Sequence, residues 1–341
     1  MANALTAKAR AIYGKRLTKE DYNNLLHKRG VSGVVAYLKT TDKYRATFAN
    51  VNETQIHRGQ VEQLLTKEVF ELYIKLCRFM SASKNSFSSY MIKELEIKQI
   101  VSALTHINAD YREGYLREMP AYLMEYLSFD LMKLSKANSY EEVLEVISDT
   151  PYYKVLKPLL SGVKKGDGLE ECSVALYSYF IKWAFKAIDR EYNGEEAKCL
   201  KEIFLRQSDL SNIIICYRKR SLFNEDKEQI KKSLYEHYYR VTPAVIDDIL
   251  SQPESDKKLL ALLNKVYLKN KIEYDPMFLE IAVRRYNNSF FKKQLNFTSN
   301  SPMALYSLMG LCQVERSNLQ KIIESARYDR SPEETEKLLV Y

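Results

Sequence analysis

Glycine and proline are scarce in this sequence: its 341 residues contain 10 glycines and 8 prolines. Only residues 162–168 are rich in glycine, and they lack the Gly-Lys-Ser or Gly-Lys-Thr ending of a phosphate-binding loop. We interpret this stretch as a connector. Because both residue types interrupt regular structure, their scarcity leaves room for long, uninterrupted helices.

Cysteine and histidine are also few, and their spacing argues against metal sites and disulfide frameworks. No Cys-x-x-Cys pair and no histidine at ligand spacing accompany the five cysteines, which are Cys77, Cys172, Cys199, Cys216 and Cys312. This pattern is typical of reduced thiols in a cytoplasmic protein. The four histidines form no His-Glu-x-x-His or His-x-His motif, so the sequence predicts neither a zinc site nor a histidine-activated nucleophile.

Long apolar runs are missing as well. The longest uncharged apolar stretches, residues 174–181 and 301–313, fall short of the roughly 20 residues that a membrane-spanning helix needs. The first ten residues contain no apolar core of a secretory signal. We therefore expect no direct membrane insertion, and any association with a membrane to depend on a partner protein.

Neither sign of charge dominates any segment. Lysine and arginine number 52 and aspartate and glutamate 44, a formal net charge of +8, and the two signs are interspersed. Short basic clusters such as 218–220, 284–285 and 292–293 are typical of solvated helix faces, so we expect no nucleic-acid partner. Arg218, Arg284 and Arg285 are our candidate contacts with a protein partner.

The features that are present indicate an all-α protein. Apolar residues recur at three- and four-residue steps along residues 61–79, 174–184 and 278–290, and no strand-like alternation with hairpin turns occurs. Thr242-Pro243 and Ser331-Pro332 have the form of helix starts, with a capping hydroxyl followed by proline at the first helical position. The second start predicts a last helix that runs through Leu339.

Three related segments recur along the chain, at residues 94–100, 208–213 and 314–319. Each contains an acid, two further residues, an asparagine or glutamine, and then an aliphatic residue. The acid and amide pairs are Glu96–Gln99, Asp209–Asn212 and Glu315–Asn318. The acids lie 113 and then 106 residues apart. This spacing indicates that one helical unit occurs three times.

The repeated acids allow two interpretations. On a helix, residues three and four apart share a face, so the amide lies within reach of the acid. The pair could then satisfy buried backbone groups at a helix end or crossing and hold each unit in shape. Alternatively, three equivalent carboxylates could form a ring around a central opening.

A second repeat supports the first. Residues 34–44 match 143–153 at an offset of 109, which aligns Thr41 with Thr150 and Tyr44 with Tyr153. A third copy around residues 245–250 keeps the apolar pattern but lacks the threonine and the tyrosine. We predict three helical domains, 1–115, 116–225 and 226–341, each with short helices, a long amphipathic helix and the acid helix. Repeats of this kind are commonly structural scaffolds.

Asp247 and Asp248 are the nearest approach to a catalytic motif. They resemble half of an aspartate-rich metal-binding helix, but residue 251 is serine and no second carboxylate follows one turn later. We interpret them as acids near a helix N-terminus. An all-α lyase would need the missing carboxylates, so the sequence predicts no catalytic residues, no cofactor and no metal.

Taken in order, several segments resemble one family over nearly the whole chain: residues 7–12, 17–26, 37–44, 209–214, 315–319 and 331–334. The family is that of the C subunit of bacterial and archaeal A/V-type rotary ATPases, which is called d in eukaryotic vacuolar enzymes. No single segment is specific alone. The sequence departs from the family's pattern at two places, both of which concern local helix ends. Gln99 stands where the family is expected to have asparagine, and Ser325-Ala326 stands where a glycine often follows.

This resemblance implies a non-catalytic rotor subunit shaped as a funnel of three similar helical domains around a pseudo-threefold axis. It implies contact with the cytoplasmic loops of the proteolipid ring and, in a central cavity, with the tip of the axle formed by the D and F subunits. A neighbouring stator membrane subunit is a further candidate partner. The protein would lie at the cytoplasmic face of the membrane, without a nucleotide, in a complex that moves H⁺ or Na⁺.

The alternative from another class is a free-standing helical-repeat scaffold that binds RNA. It would need arginines and aromatic residues gathered on one concave face, and its RNA binding would weaken steeply with salt.

Overall fold

A computed structural model describes residues 2–80, 86–109, 119–163, 166, 168–270 and 274–341. Within these ranges every regular element is a helix, which confirms the all-α prediction. The predicted boundary between residues 115 and 116, and residues 164, 165 and 167 of the glycine-rich stretch, lie outside the described residues.

The helices occur in three successive series, each with short helices followed by two long ones, and the third series ends with one further short helix. The first series comprises α1 (Ala2–Gly14), α2 (Lys19–Leu26), α3 (Gly30–Leu38), α4 (Arg45–Phe48), α5 (Arg58–Cys77) and α6 (Tyr90–Asn108). The second comprises α7 (Leu131–Lys136), α8 (Tyr140–Val146), α9 (Pro151–Leu160), α10 (Leu169–Glu191) and α11 (Gly194–Leu222). The third comprises α12 (Lys227–Lys232), α13 (Pro243–Leu250), α14 (Ser255–Leu263), α15 (Leu279–Phe297), α16 (Ser301–Arg327) and α17 (Pro332–Lys337).

Side-chain caps fix where several of the short helices begin. Thr242 accepts a hydrogen bond from the backbone N–H of Val245 at the start of α13, and Ser331 accepts one from Glu334 at the start of α17. Both predicted starts are therefore confirmed. Helix α17 ends at Lys337, two residues before the predicted Leu339, because the following segment turns to pair with α16.

Contacts divide the chain into two compact units. The first contains Met1–Ser81 and Asn270–Tyr341, so it holds residues from both ends of the sequence. Its core combines residues before position 66 with Leu319, Ile322, Ile323 and Leu339. The second unit is Ala82–Lys269, with a core that runs from Ile100 to Leu176. This division does not test the three predicted domains, which stay a prediction.

Helices α15 and α16 pack very closely at one glycine. A Cβ atom added to Gly310 would lie 2.5 Å from the ring of Phe291, far inside van der Waals contact. Glycine is therefore required here for helix packing, although it lowers intrinsic helix stability.

In the part of the chain that the structure describes, no helix combines the length and the apolar character needed to cross a bilayer.

Candidate functional site

The first repeated acid, Glu96, lies on α6 and is only 1% exposed. It accepts hydrogen bonds from the backbone N–H of Ser128 (2.6 Å) and from the hydroxyl of Tyr152 (2.6 Å). The ammonium of Lys93, one turn earlier on α6, lies 3.0 Å from the same carboxylate. The carboxylate thus joins α6 to the chain just before α7 and to the start of α9.

The second acid, Asp209, is fully buried on α11. It accepts three backbone N–H groups in a row, from Tyr239 (2.9 Å), Arg240 (2.7 Å) and Val241 (3.0 Å). The hydroxyl of Tyr267 donates a further hydrogen bond. Val241 directly precedes the capping residue of α13, so this carboxylate fixes the backbone that leads into that helix.

The third acid, Glu315, lies on α16 and is 6% exposed. It accepts hydrogen bonds from the backbone N–H of Leu17 (3.0 Å) and from the hydroxyl of Tyr44 (2.7 Å). The ammonium of Lys43 lies 2.5 Å from Oε1, the oxygen that also accepts from Tyr44. Leu17 directly precedes Thr18, which caps α2, so Glu315 fixes the backbone before α2 as Asp209 fixes the backbone before α13.

The amides act beside the acids. Asn212 donates to the carbonyl oxygen of Tyr235 (3.0 Å) and accepts from its N–H (2.8 Å). Asn318 makes the same pair of bonds with Val340, at 2.6 and 3.0 Å. Gln99, the amide of the first pair, is buried at 6% exposure. Each asparagine therefore binds one residue of a non-helical segment through both backbone groups.

The three carboxylates share one plan. Each accepts a backbone N–H shortly before a short helix and a tyrosine hydroxyl 24 to 27 residues later, in the pairs Ser128 and Tyr152, Val241 and Tyr267, and Leu17 and Tyr44. Hydrogen bonds to a charged group contribute about 1.5–3 kcal/mol each. We call this arrangement the carboxylate clip. Because the carboxylates are buried and already bonded, the geometry favours the shape-holding interpretation over an open ring of acids.

The clips correct two details of the predicted alignment. The tyrosine that binds Glu96 is Tyr152, whereas the sequence alignment places Tyr153 opposite Tyr44. The tyrosine of the third copy is not lost but is Tyr267, which follows α14. Residues 245–250 form α13, the counterpart of α2, so the alignment selects the wrong helix.

The surroundings of Glu315 hold further polar groups in the first unit. Burial opposes the charged form of Lys43, but the Glu315 and Glu68 carboxylates outweigh it and raise its pKa. Burial also raises the pKa of Cys312 to about 12, so that thiol stays protonated at neutral pH. Burial raises the pKa of Glu68, with Glu315 adding to the effect. The first unit therefore contains a buried ion pair with a second carboxyl nearby.

The candidate partner-contact arginines differ in their surroundings. Arg284 donates to the Ser317 hydroxyl (2.8 Å) and Arg285 to the carbonyl oxygen of Lys337 (3.2 Å), so both side chains have bonds inside the first unit. Arg218 is exposed near the end of α11, in the second unit. All three side chains therefore lie on long helices, and Arg218 is the most exposed of them.

The Asp247–Asp248 pair is explained by local ion pairing. Asp247 lies 2.7 Å from the ammonium of Lys227 and 3.2 Å from that of Lys231, which join α13 to α12. The first turn of α13 contains no acid, so the expectation that a position near the helix N-terminus explains Asp247 and Asp248 is wrong. Across the described ranges, no three His, Cys, Asp or Glu side chains come together as a metal site.

Sequence reasoning missed most of the donors to the clips. Lys93 could have been found, because it lies three residues before Glu96 on the same helix face. Ser128, Leu17 and Val241 act through backbone N–H groups, which any residue type except proline supplies, so composition gives no signal for them.

Comparison with known proteins agrees with this architecture. The family model described as the ATP synthase (C/AC39) subunit matches residues 5–338. The chain belongs to this family. The family model spans all three clip helices, so the resemblance to the C subunit of the A/V-type enzymes is confirmed.

Relatives of this C/AC39 family member carry the same description, each being the C subunit of an A-type ATP synthase. The protein of Methanosphaera stadtmanae is 22% identical over 337 residues, which cover 96% of this chain and 84% of the relative. That of Methanocaldococcus jannaschii is 21% identical, covering 98% of this chain and 85% of the relative. That of Thermococcus gammatolerans is 21% identical, covering 97% and 87%.

Proposed function

We propose that this chain is a non-catalytic rotor subunit of an A/V-type rotary ATPase. It links the central axle, formed by the D and F subunits, to the membrane proteolipid ring. The observation that carries this proposal is the family match over residues 5–338. In this proposal the chain lies peripherally at the cytoplasmic face of the membrane, in a complex that moves H⁺ or Na⁺.

We further propose three similar domains arranged as a funnel around a pseudo-threefold axis. Support comes from the three carboxylate clips, which occur in the same order and use the same kinds of donor. The funnel receives the tip of the axle in its central cavity, and its broad face rests on the cytoplasmic loops of the ring. A stator membrane subunit is a neighbour of this assembly.

A rotor coupling needs a body that does not flex under torque. Closely packed helices resist deformation because their interiors have few voids. The clips add directional bonds between each acid helix and a series of short helices, where apolar packing alone would permit sliding. Asp209, with four donors, is the most strongly held of the three acids.

The interface with the ring is proposed to be partly polar. A body with threefold repetition meets a ring of different symmetry, so one set of apolar pockets cannot be matched all the way around. Charged contacts tolerate such mismatch better, and they weaken as salt screens them. Arg218 is the first candidate, because its side chain is exposed whereas those of Arg284 and Arg285 are partly buried.

The proposal is tested by mixing the purified chain with detergent-solubilised proteolipid ring and, separately, with the D and F subunits. Size-exclusion chromatography should show co-elution in both mixtures, and raised salt should weaken the ring complex. An unrelated detergent-solubilised membrane protein serves as the control. Binding to neither partner would refute the proposal and leave the free-standing scaffold.

A further inference from the structure

The second and third clips differ in how the chain is connected. In the second unit, one continuous segment runs from Tyr235, which pairs with Asn212, to Val241, which binds Asp209. In the first unit, Val340 pairs with Asn318 and Leu17 binds Glu315. These two residues take the same roles but come from opposite ends of the sequence.

No continuous segment joins Val340 to Leu17, and we call this gap the break. Because of it, Glu315 receives fewer backbone N–H donors than Asp209 does. Tyr239 and Arg240, just before Val241, donate their N–H groups to Asp209. The two residues before Leu17 use their N–H groups elsewhere: Lys15 donates to Ile12 (3.0 Å) and Arg16 to Tyr13 (3.1 Å), closing the last turn of α1. Glu315 therefore receives one backbone N–H where Asp209 receives three.

A cavity of about 290 Å³ lies at this break. Leu17 and Val340, the residues on either side of the break, both line it, and so does Glu315. Its volume is close to the lower limit of roughly 300 Å³ for ligand pockets in proteins. In the second clip, residues 236–240 of the chain itself run between the corresponding positions.

The cavity is lined by more positive than negative charge. Its basic residues are Arg16, Lys19 and Lys292, and its one acid is Glu315, which Lys43 already neutralises. Lys292 is partly buried and has no hydrogen-bond or ion-pair partner among the residues that the structure describes. Burial and the charge of Arg16 lower the pKa of Lys292, and an anion bound nearby would relieve both effects.

We propose that this cavity binds a short, acidic, non-helical segment of another protein of the complex. The segment occupies the place that residues 236–240 take in the second clip. Its backbone N–H groups add to the donors at Glu315, and its carboxylates pair with Lys292 and Arg16. The inference rests on the proposed function only in that the partner belongs to the same complex.

A peptide suits the cavity better than a free anion does. The three basic side chains would attract either one, but the Glu315 carboxylate repels a small anion that enters beside it. A polypeptide offers N–H donors to Glu315 and carboxylates to the basic side chains at different points along its length. The second clip shows that an acid at this position accepts consecutive N–H groups from a bent, non-helical segment.

The test places a photo-crosslinking amino acid at position 19, which lines the cavity and leaves Lys292 and Arg16 in place, in the fully assembled complex and identifies the captured peptide by mass spectrometry. The control places the same group at the neighbouring Glu20, which does not line the cavity. We expect position 19, and not 20, to capture an aspartate- or glutamate-containing segment of another protein of the complex. Capture of residues of this chain alone would overturn the inference.

A second arm tests the charges. With the photo-crosslinker at position 19, Lys292→Glu should lower capture of the same segment about tenfold, as expected for loss of a partly buried ion pair, whereas Lys293→Glu should leave it unchanged. If no peptide is captured specifically from position 19, and succinate at millimolar concentration binds the wild-type chain but not Lys292→Glu, the cavity is a small-anion site and the peptide proposal is overturned. If the unlabelled chain fails to enter the complex, the proposed function falls together with this inference. An assembled complex that lacks the cross-link refutes the cavity proposal alone.

Discussion

Leu17 and Glu315 lie 298 residues apart in the sequence, yet the backbone N–H of Leu17 donates a 3.0 Å hydrogen bond to the Glu315 carboxylate. This bond joins the last acid helix to the first series of short helices. Glu96 and Asp209 instead bind the series that follows each of them along the chain. The third clip therefore depends on residues from both ends of the sequence.

Replacing Glu315 with glutamine should destabilise the first unit. The Lys43 ammonium, whose side chain is 10% exposed, would lose its counter-charge in a buried place. Breaking a buried ion pair in this way typically costs about 3–5 kcal/mol. Urea unfolding should show a lower midpoint, with hydrogen exchange fastest at Leu17. Glu324→Gln, which removes a more exposed ion pair with Arg58, should cost less than about 1 kcal/mol.

The three clip tyrosines should be equivalent in energy. Tyr44→Phe, Tyr152→Phe and Tyr267→Phe each remove one hydroxyl bonded to a buried carboxylate, with an expected loss of about 1.5–3 kcal/mol in the free energy of unfolding. Tyr153→Phe is the matched control, because it is the residue that the sequence alignment selects in place of Tyr152. A larger loss from Tyr153→Phe than from Tyr152→Phe would contradict the assignment of the clip.

The assignment of Tyr152, and not Tyr153, to the first clip marks the limit of what the sequence alone could predict. Helix class, two helix starts and the acid and amide pairs could be predicted, because helical periodicity and capping depend on residues close in the sequence. The partners of the acids could not be predicted, because most lie 30 to 298 residues away and many are backbone groups. An alignment that rests on the hydrophobic pattern also cannot detect a shift of one residue between two copies, such as that between Tyr152 and Tyr153.

Gly310→Ala should destabilise the chain even though alanine favours helices. The new methyl group would overlap the Phe291 ring at 2.5 Å, and overpacking of this kind typically costs about 1–3 kcal/mol. Gly59→Ala on α5 is the control, since no atom lies within 4 Å of the added Cβ, and it should stabilise by up to about 1 kcal/mol. Thermal unfolding of both variants would measure the difference. A Gly310→Ala chain as stable as Gly59→Ala would disprove the close approach.

The pH dependence of stability should contain a contribution from Lys321. Burial, together with the charges of Arg284 and Arg285, lowers the pKa of Lys321 to about 8, below its ordinary value of 10.5. Between these values the unfolded chain binds more protons than the folded one, so this residue makes the free energy of unfolding rise with pH across that window. Lys321→Met should remove this rise, whereas Lys293→Met should keep it. Equal slopes for the wild-type chain and Lys321→Met would contradict the lowered pKa.

The central claim, that this chain is a passive coupling between axle and ring, is tested most directly by a bridging measurement. Tagged D and F subunits are immobilised, and retention of detergent-solubilised proteolipid ring is measured with and without the purified chain. We predict that the ring is retained only when the chain is present and that raised salt releases it. Equal retention of the ring in the absence of the chain, or no retention in its presence, would contradict the account.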